Sequence, residues 1–329
     1  MGAEYRRATI KMTVIGVGGC GVNTITNLEN RLEEVGISVP TIAVDTDAAV
    51  ISKARAMHKI VIGELNTKGR GTGGDMNLGR EIMEREINKV ASLIGDAELI
   101  LVTAGLGGGT GSGGVVALAD HIKSNMPNSL LWTILTLPFS SEGGERARNA
   151  ATALREVLRI ADMAIVNSND LLRTRTRYTT VLQAFKRMDN VLVNTIMGLL
   201  NLQSLEPFPG LVNVNFANVE RITRNSGLGF AGIGEGTNPL FAFESAMAEN
   251  YIEADISGAR GAVVLIEANR TALRMGEVEE IPRVLGERYG IDNVYFGVRP
   301  DWRLHAPRVT LIVSSVRSRF VDDYLRRAG

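Results

Sequence analysis

The sequence predicts an α/β protein: a doubly wound parallel-sheet domain, a long central helix and a smaller α+β domain. Three observations carry this expectation. β-branched apolar runs alternate with helix-period segments through the first half of the chain; a long helical segment without proline follows; the texture then changes to single strands with short links.

In the first domain, residues 1–177, the strands are read in "IKMTVIG" (10–16), "TIAVDTD" (41–47), "AELILVTAG" (97–105), "LLWTILTLP" (130–138) and "MAIVNSN" (163–169). Between them, "VNTITNLENRLEEVG" and "GREIMEREINKVASLIG" repeat apolar residues every three to four positions, as helices packed on a sheet do. Such sheets bind ligands at the carboxyl ends of their strands. Residues 178–204 hold one glycine, Gly198, and as a helix would run roughly 40 Å, the span of a domain. After "LEPFPG", the third part (205–329) reads as helices in "ANVERITRN", "NPLFAFESAMAENY" and "MGEVEEIPRVLGERYG". Its strands are read in "GARGAVVLIEA", "NVYFGVRP" and "RVTLIVSSV".

Composition narrows the function classes. Lys+Arg and Asp+Glu balance at 36 each in 329 residues, so no global field argues for nucleic acid or a membrane as partner. The single cysteine, Cys20, excludes an internal disulfide, and His58, His121 and His305 lack metal-ligand spacing. No apolar run approaches the ~20 residues needed to cross a bilayer. A reducing, cytoplasmic setting is expected.

Glycine is concentrated where ligands are expected. "GLGGGTGSGG" (105–114) joins a strand to a helix, and "GVGGCGVN" (16–23) does the same after the first strand. A third loop, "TKGRGTGGD" (67–75), carries Lys68 and Arg70. Glycine lets consecutive N–H groups point outward at a helix start, where the macrodipole is positive, and this makes a phosphate site. Three such loops at one sheet edge suggest a di- or triphosphate.

Two phosphate-binding alternatives are weighed. Gly16 to Gly21 satisfies G-x-G-x-x-G after a strand, with Asp45 further on, which would suit an NAD-dependent oxidoreductase. That fold does not call for the denser loop at 105–114. A Walker A loop fails, because "GDMNLGRE" has Arg80 and Glu81 where lysine and Ser/Thr belong. Phosphate charge would then be met by backbone amides, Thr110, Ser112 and a divalent cation.

"GGGTGSG" (107–113), with "AVDTD", "TKGRGTGGD", "PFSSEGGERA", "AFKRMDNVL", "NVNFANV" and "DISGARGAVVLI" in order along the chain, resembles the tubulin and FtsZ superfamily of GTP-dependent filament proteins. It is closer to FtsZ. The resemblance implies that GTP or GDP is held by Gly18, Gly19, Cys20 and Asn23 of the first loop and by Gly71, Thr72 and Gly73 of the third. It adds Gly105, Gly107, Gly108, Gly109, Thr110 and Gly111 around the phosphates, and Pro138, Glu142 and Arg146 at the ribose and γ-phosphate end. Phe185 would stack on guanine and Asp189 accept its N1 and N2 hydrogens. The family's "PND" loop reads "NSND" here, so either Ser168 or Asn169 would contact the nucleoside. Mg²⁺ would be held through phosphates and water, without a dedicated set of side chains.

Simpler readings stand beside these. Cys20 is read as a small residue filling a tight turn, "RTRTR" (173–177) as a solvated face, Met188 and Met197 as core, and the histidines as surface residues. Asp45 and Asp47 either touch the ribose or cap a helix.

The largest departure lies in the loop at 207–219. The resemblance implies head-to-tail self-assembly, with this loop of one subunit reaching the next subunit's nucleotide and two acidic residues polarising the attacking water. Asn213 fits the pattern, but Asn215 and Asn218 occupy the acidic positions. Asparagine can orient a water yet is a negligible general base. The expectation is a cytoskeletal, cell-division-type filament protein with weak or partner-dependent GTPase activity, or a regulatory pseudo-GTPase that co-assembles with a homologous subunit. The family's usual linker and membrane-anchoring peptide have no match in "RSRFVDDYLRRAG", which implies a shortened chain or one that does not use that anchor.

Overall fold

The computed structural model describes residues 10–171, 193–200, 214–249, 251–269 and 273–327. Twelve strands occur among them: β1 (Met12–Val17), β2 (Thr41–Asp45), β3 (His58–Val61), β4 (Leu99–Gly105), β5 (Leu130–Leu137), β6 (Met163–Ser168), β7 (Gly227–Glu235), β8 (Ala254–Asp255), β9 (Gly261–Ala268), β10 (Val294–Pro300), β11 (Arg308–Ser314) and β12 (Arg317–Ser318). The helices are α1 (Gly18–Val35), α2 (Ala48–Lys53), α3 (Glu64–Thr67), α4 (Met76–Ala91), α5 (Gly109–Asn125), α6 (Gly144–Ile160), α7 (193–200), α8 (Phe216–Thr223), α9 (Pro239–Ala248), α10 (Met275–Tyr289) and α11 (Arg319–Arg327).

Ten strands share one sheet in the order β10-β9-β11-β7-β6-β5-β4-β1-β2-β3, while β12 pairs with β8. From β3 to β7 neighbouring strands run parallel; β11 is antiparallel to both β7 and β9. Every residue of β1, β2 and β5 is buried, as expected of a parallel sheet covered on both faces. Alternate side chains enter two layers. Val14, Leu101, Trp132 and Ile165 pack with Ile25 and Leu28 of α1 and with Val193 and Ile196 of α7, whereas Ile15, Val102 and Leu135 pack with α4, α5, α6 and Val321 of α11.

The predicted strands of the first half are present, but β3 and β7 were not read from the sequence. β7, "GLGFAGIGE", has glycines where an alternating apolar pattern would be sought. The reason is close packing: a Cβ on Gly234 would lie 2.2 Å from the carbonyl oxygen of Ala242 in α9. β7 nevertheless extends the sheet, with Met163 of β6 opposite Gly227 and Ile165 opposite Gly229. The C-terminal strands are therefore hydrogen-bonded on to the N-terminal parallel sheet.

At that junction the carboxylate of Asp162 is fully buried. It accepts hydrogen bonds from Lys123 Nζ at 2.9 and 3.1 Å and from the backbone N–H of Leu131 at 2.8 Å, joining α5 and β5 to the start of β6. Of the segment 178–204, only α7 lies within the described residues, and it is helical with Met197 buried. Met188 and residues 173–177 lie outside them. No helix among the described residues is long and apolar enough to cross a membrane.

Candidate functional site

The first two helices of the glycine loops begin earlier than side-chain periodicity indicates, inside the glycine clusters themselves. α1 starts at Gly18 and α5 at Gly109, and neither has a side chain capping its first turn. By contrast, Asp47 caps α2 by accepting from the Ala49 and Val50 amides, and Asp75 caps α4 by accepting from Leu78. Uncapped helix starts leave N–H donors and the positive dipole end for a ligand, and here both lie on one cleft.

That cleft has a volume of about 720 Å³ and sits at the carboxyl ends of β1, β2, β4 and β5. All of the described binding residues expected from the resemblance line it except Gly107 and Ser168. Two glycines show why side chains are excluded. Gly18 has φ +72°, and a Cβ there would sit 2.8 Å from Gly111 N; a Cβ on Gly109 would meet Thr72 Oγ1 at 2.2 Å. The three loops thus approach so closely that these glycines have no room for a side chain.

Hydroxyls knit the floor. Thr46 Oγ1 lies 2.7 Å from Thr110 Oγ1, which is 3.5 Å from Thr72 Oγ1. Asp45 beside them is buried, and that burial pushes its carboxyl above the ordinary value while the Thr46 and Asp47 amides pull it back. On the opposite wall Glu142 accepts from Phe139 N at 2.8 Å and from Arg146 Nη1 at 2.5 Å, which holds the Pro138–Arg146 turn. Asn149, not singled out from sequence, donates to the carbonyls of Gly74 and Gly107 at 2.9 and 3.3 Å and ties two loops together.

Gly107 does not line the cleft. With φ +105° it turns the loop, and its N–H donates to Ser112 Oγ at 2.8 Å. Ser168 does not line it either: it ends β6 opposite Leu137, and its N–H donates to Tyr251 O at 3.1 Å. Asn169, the next residue along, does, and its buried Oδ1 has no hydrogen-bond partner among the described residues. Thr136 Oγ1, also on the cleft and not singled out from sequence, is likewise buried without a partner among the described residues. Such orphaned acceptors and donors suit a polar ligand. Of the aspartates left open between ribose and cap, Asp47 is a cap, and both it and Asp45 line the cleft. Phe185, Asp189 and Asn213 lie outside the described residues.

Asn215 and Asn218 are not on this cleft. Asn215 is the N-cap of α8, its side-chain oxygen accepting from Asn218 N at 2.9 Å. Past the end of α8, Arg224 donates to the carbonyls of Pro127 and Asn128, which precede β5. α8 therefore lies at the amino edge of the sheet, a strand's length of roughly 20 Å from the glycine loops. Glu220, the nearby acid, is held by Arg224 through Nε at 3.0 Å and Nη2 at 2.7 Å.

The tubulin/FtsZ family GTPase-domain model matches residues 11–176. The chain is 34% identical over 318 residues to cell division protein FtsZ 1 of Pyrococcus horikoshii, covering 94% of this chain and 82% of that protein. Among solved structures, an FtsZ dimer from M. jannaschii aligns with TM-score 0.83 and 32% identity over 94% of this chain and 89% of that one. A GTPγS-bound protofilament of CetZ2 from Haloferax volcanii aligns with TM-score 0.82 and 25% identity over 97% of each. This displaces the dinucleotide reading of Gly16 to Gly21. With its three glycine loops gathered on one cleft and this likeness along its length, the chain belongs to the tubulin/FtsZ family.

Proposed function

We propose that this chain binds a guanine nucleotide in the glycine cleft and self-associates head to tail, with hydrolysis that is slow unless a homologous subunit supplies carboxylates. The observation that carries the reading is the separation of the cleft, at the carboxyl edge of the sheet, from Asn215 and Asn218 at its amino edge. Residues so placed act on a nucleotide only across a junction between copies. The relatives crystallised as a dimer and as a GTPγS-bound protofilament support such stacking.

Within the cleft, the uncapped starts of α1 and α5 take the phosphates, and Asn169 and Thr136 take the nucleoside. Their orphaned polar atoms and the uncapped helix starts fit that ligand. A magnesium ion would be held through the phosphates and water, with the Thr110 and Thr72 hydroxyls and the Asp45 carboxylate lining the same cleft. It would neutralise phosphate charge.

Hydrolysis needs a water oriented and deprotonated. Asn215 spends its side-chain oxygen on the α8 cap, Asn218 is neutral, and Glu220 is engaged by Arg224. No described acid on α8 is placed as a base. Loss of a general base costs ~10² to 10⁴ in rate. The same neutral pair favours a second reading, a regulatory subunit that co-assembles with a homologous filament protein.

GTP turnover of the pure protein, measured above its assembly concentration with and without a family partner, tests both. Slow turnover with GTP-dependent sedimentation supports the first reading. Sedimentation only when a partner is added supports the second, and turnover typical of the family overturns both.

A further inference from the structure

The amino-edge helix α8 carries a third feature beside its two asparagines. Val219, Ile222 and Thr223 are buried and mark its inner face. At about 100° per residue, Asn218 and Arg221 are neighbours one turn apart on the outer side, while Glu220 falls on the opposite flank. Arg221 is exposed, and its one hydrogen bond among the described residues runs from Nη1 to Tyr295 Oη at 3.4 Å. Its neighbours are committed: Arg224 holds Glu220 and two carbonyls, and Arg260 donates to Arg224 O. The shallow depression beside α8 thus gathers three arginines against one acid, and that acid is already paired.

We propose that Arg221 is a ligand for the phosphates of the nucleotide held by the next copy of this chain. The inference rests on the head-to-tail reading above and names what the amino edge offers across that junction. Two carboxylates facing a polyphosphate would repel it; two asparagines remove the repulsion, and a guanidinium one turn away adds attraction. Arginine presents planar, always-charged donors that match phosphate oxygens, and it loses less on desolvation at an interface than lysine does. It accepts no proton, so the contact holds the nucleotide and the two copies together without activating water. Nucleotide charge then acts as the adhesive of the junction.

The test is sedimentation with GTP over a range of KCl concentrations for the wild type, Arg221→Ala, Arg221→Lys and Tyr295→Phe. Fluorescent GTP-analogue binding and urea unfolding are measured on each protein below its assembly threshold. Arg221→Ala is expected to raise the threshold about tenfold or more, the loss of one charge-assisted contact, and to flatten its dependence on KCl. Arg221→Lys should keep the salt dependence with a weaker threshold, and Tyr295→Phe should behave as the wild type. Analogue binding and the urea midpoint should be unchanged in all, since Arg221 is far from the chain's own cleft. A purely structural role would move the urea midpoint and leave the salt slope as it was, which counts against the proposal. Equal thresholds and slopes for wild type and Arg221→Ala overturn it while leaving the stacking reading intact. A wild type that binds the analogue yet never sediments overturns the stacking reading, and this inference with it.

Discussion

The side-chain oxygen of Asn215 accepts a hydrogen bond from the backbone N–H of Asn218, 2.9 Å away, and so closes the first turn of α8. The two positions where the family resemblance implies acids are thus linked, as a cap. Aspartate caps a helix as well as asparagine does, and alanine does not. Asn215→Ala should cost about 1 kcal/mol of stability, while Asn215→Asp should be neutral or slightly stabilising because of the helix dipole. Urea unfolding midpoints of the three proteins check this, and an unaffected alanine variant would contradict it.

Restoring charge at this loop should restore chemistry. The double variant Asn215→Asp, Asn218→Asp is expected to raise GTP turnover above the assembly threshold by ~10² to 10⁴. Phosphate release per filament subunit is the measurement. No increase, with assembly intact, would mean that the missing acids are not what limits hydrolysis.

Asp162 carries the junction between the two halves of the sheet. Asp162→Ala removes a fully buried carboxylate and leaves the Leu131 N–H and the partly buried Lys123 Nζ without their acceptor. Breaking one side of a buried pair costs ~3 to 5 kcal/mol. Asp162→Asn, which keeps an acceptor, should cost less, and thermal unfolding of both variants separates charge from hydrogen bonding.

Asp45 predicts a pH dependence. Burial raises its carboxyl above the ordinary 3.8, so the folded nucleotide-free chain binds that proton more tightly than the unfolded chain does. Stability from this group is therefore complete below 3.8 and is lost as pH rises through the raised folded value. Asp45→Asn removes the penalty while keeping an acceptor for the Thr46 and Asp47 amides. The variant should be more stable than wild type at pH 7, with the gap narrowing as pH falls towards 4. A gap independent of pH would refute the assignment.

Gly18→Ala should abolish fluorescent GTP-analogue binding, because the new methyl meets Gly111 N at 2.8 Å and the backbone sits at φ +72°. Gly36→Ala, at a similar φ of +70° but with nothing within 4 Å, should lose stability and keep binding. Equal binding by both variants would argue against loop-to-loop contact as the basis of the site.

Several parts of the molecule were determined by sequence alone. Runs such as "TVIGV" and "LILVTAG" are buried strands because their β-branched and apolar residues leave no polar face, and the glycine runs that follow them line one cleft. That asparagines stand at 215 and 218, where the family resemblance implies acids, is equally plain in the letters. Tertiary structure decided what depends on distant residues. β7 is a strand because β6 and β11 pair with it, its glycines making room for α9, and α1 and α5 begin inside glycine runs that show no periodicity. Asn169 and not Ser168 lines the cleft because β6 ends at Ser168, paired beside Leu137, and the chain turns into helix at Asn169. Thr46 and Thr110 are 64 residues apart along the chain and 2.7 Å apart across the cleft floor. Local pattern reports what a segment does with its own backbone and side chains; which groups converge on a ligand is set by sheet order and packing, and those are properties of the whole chain.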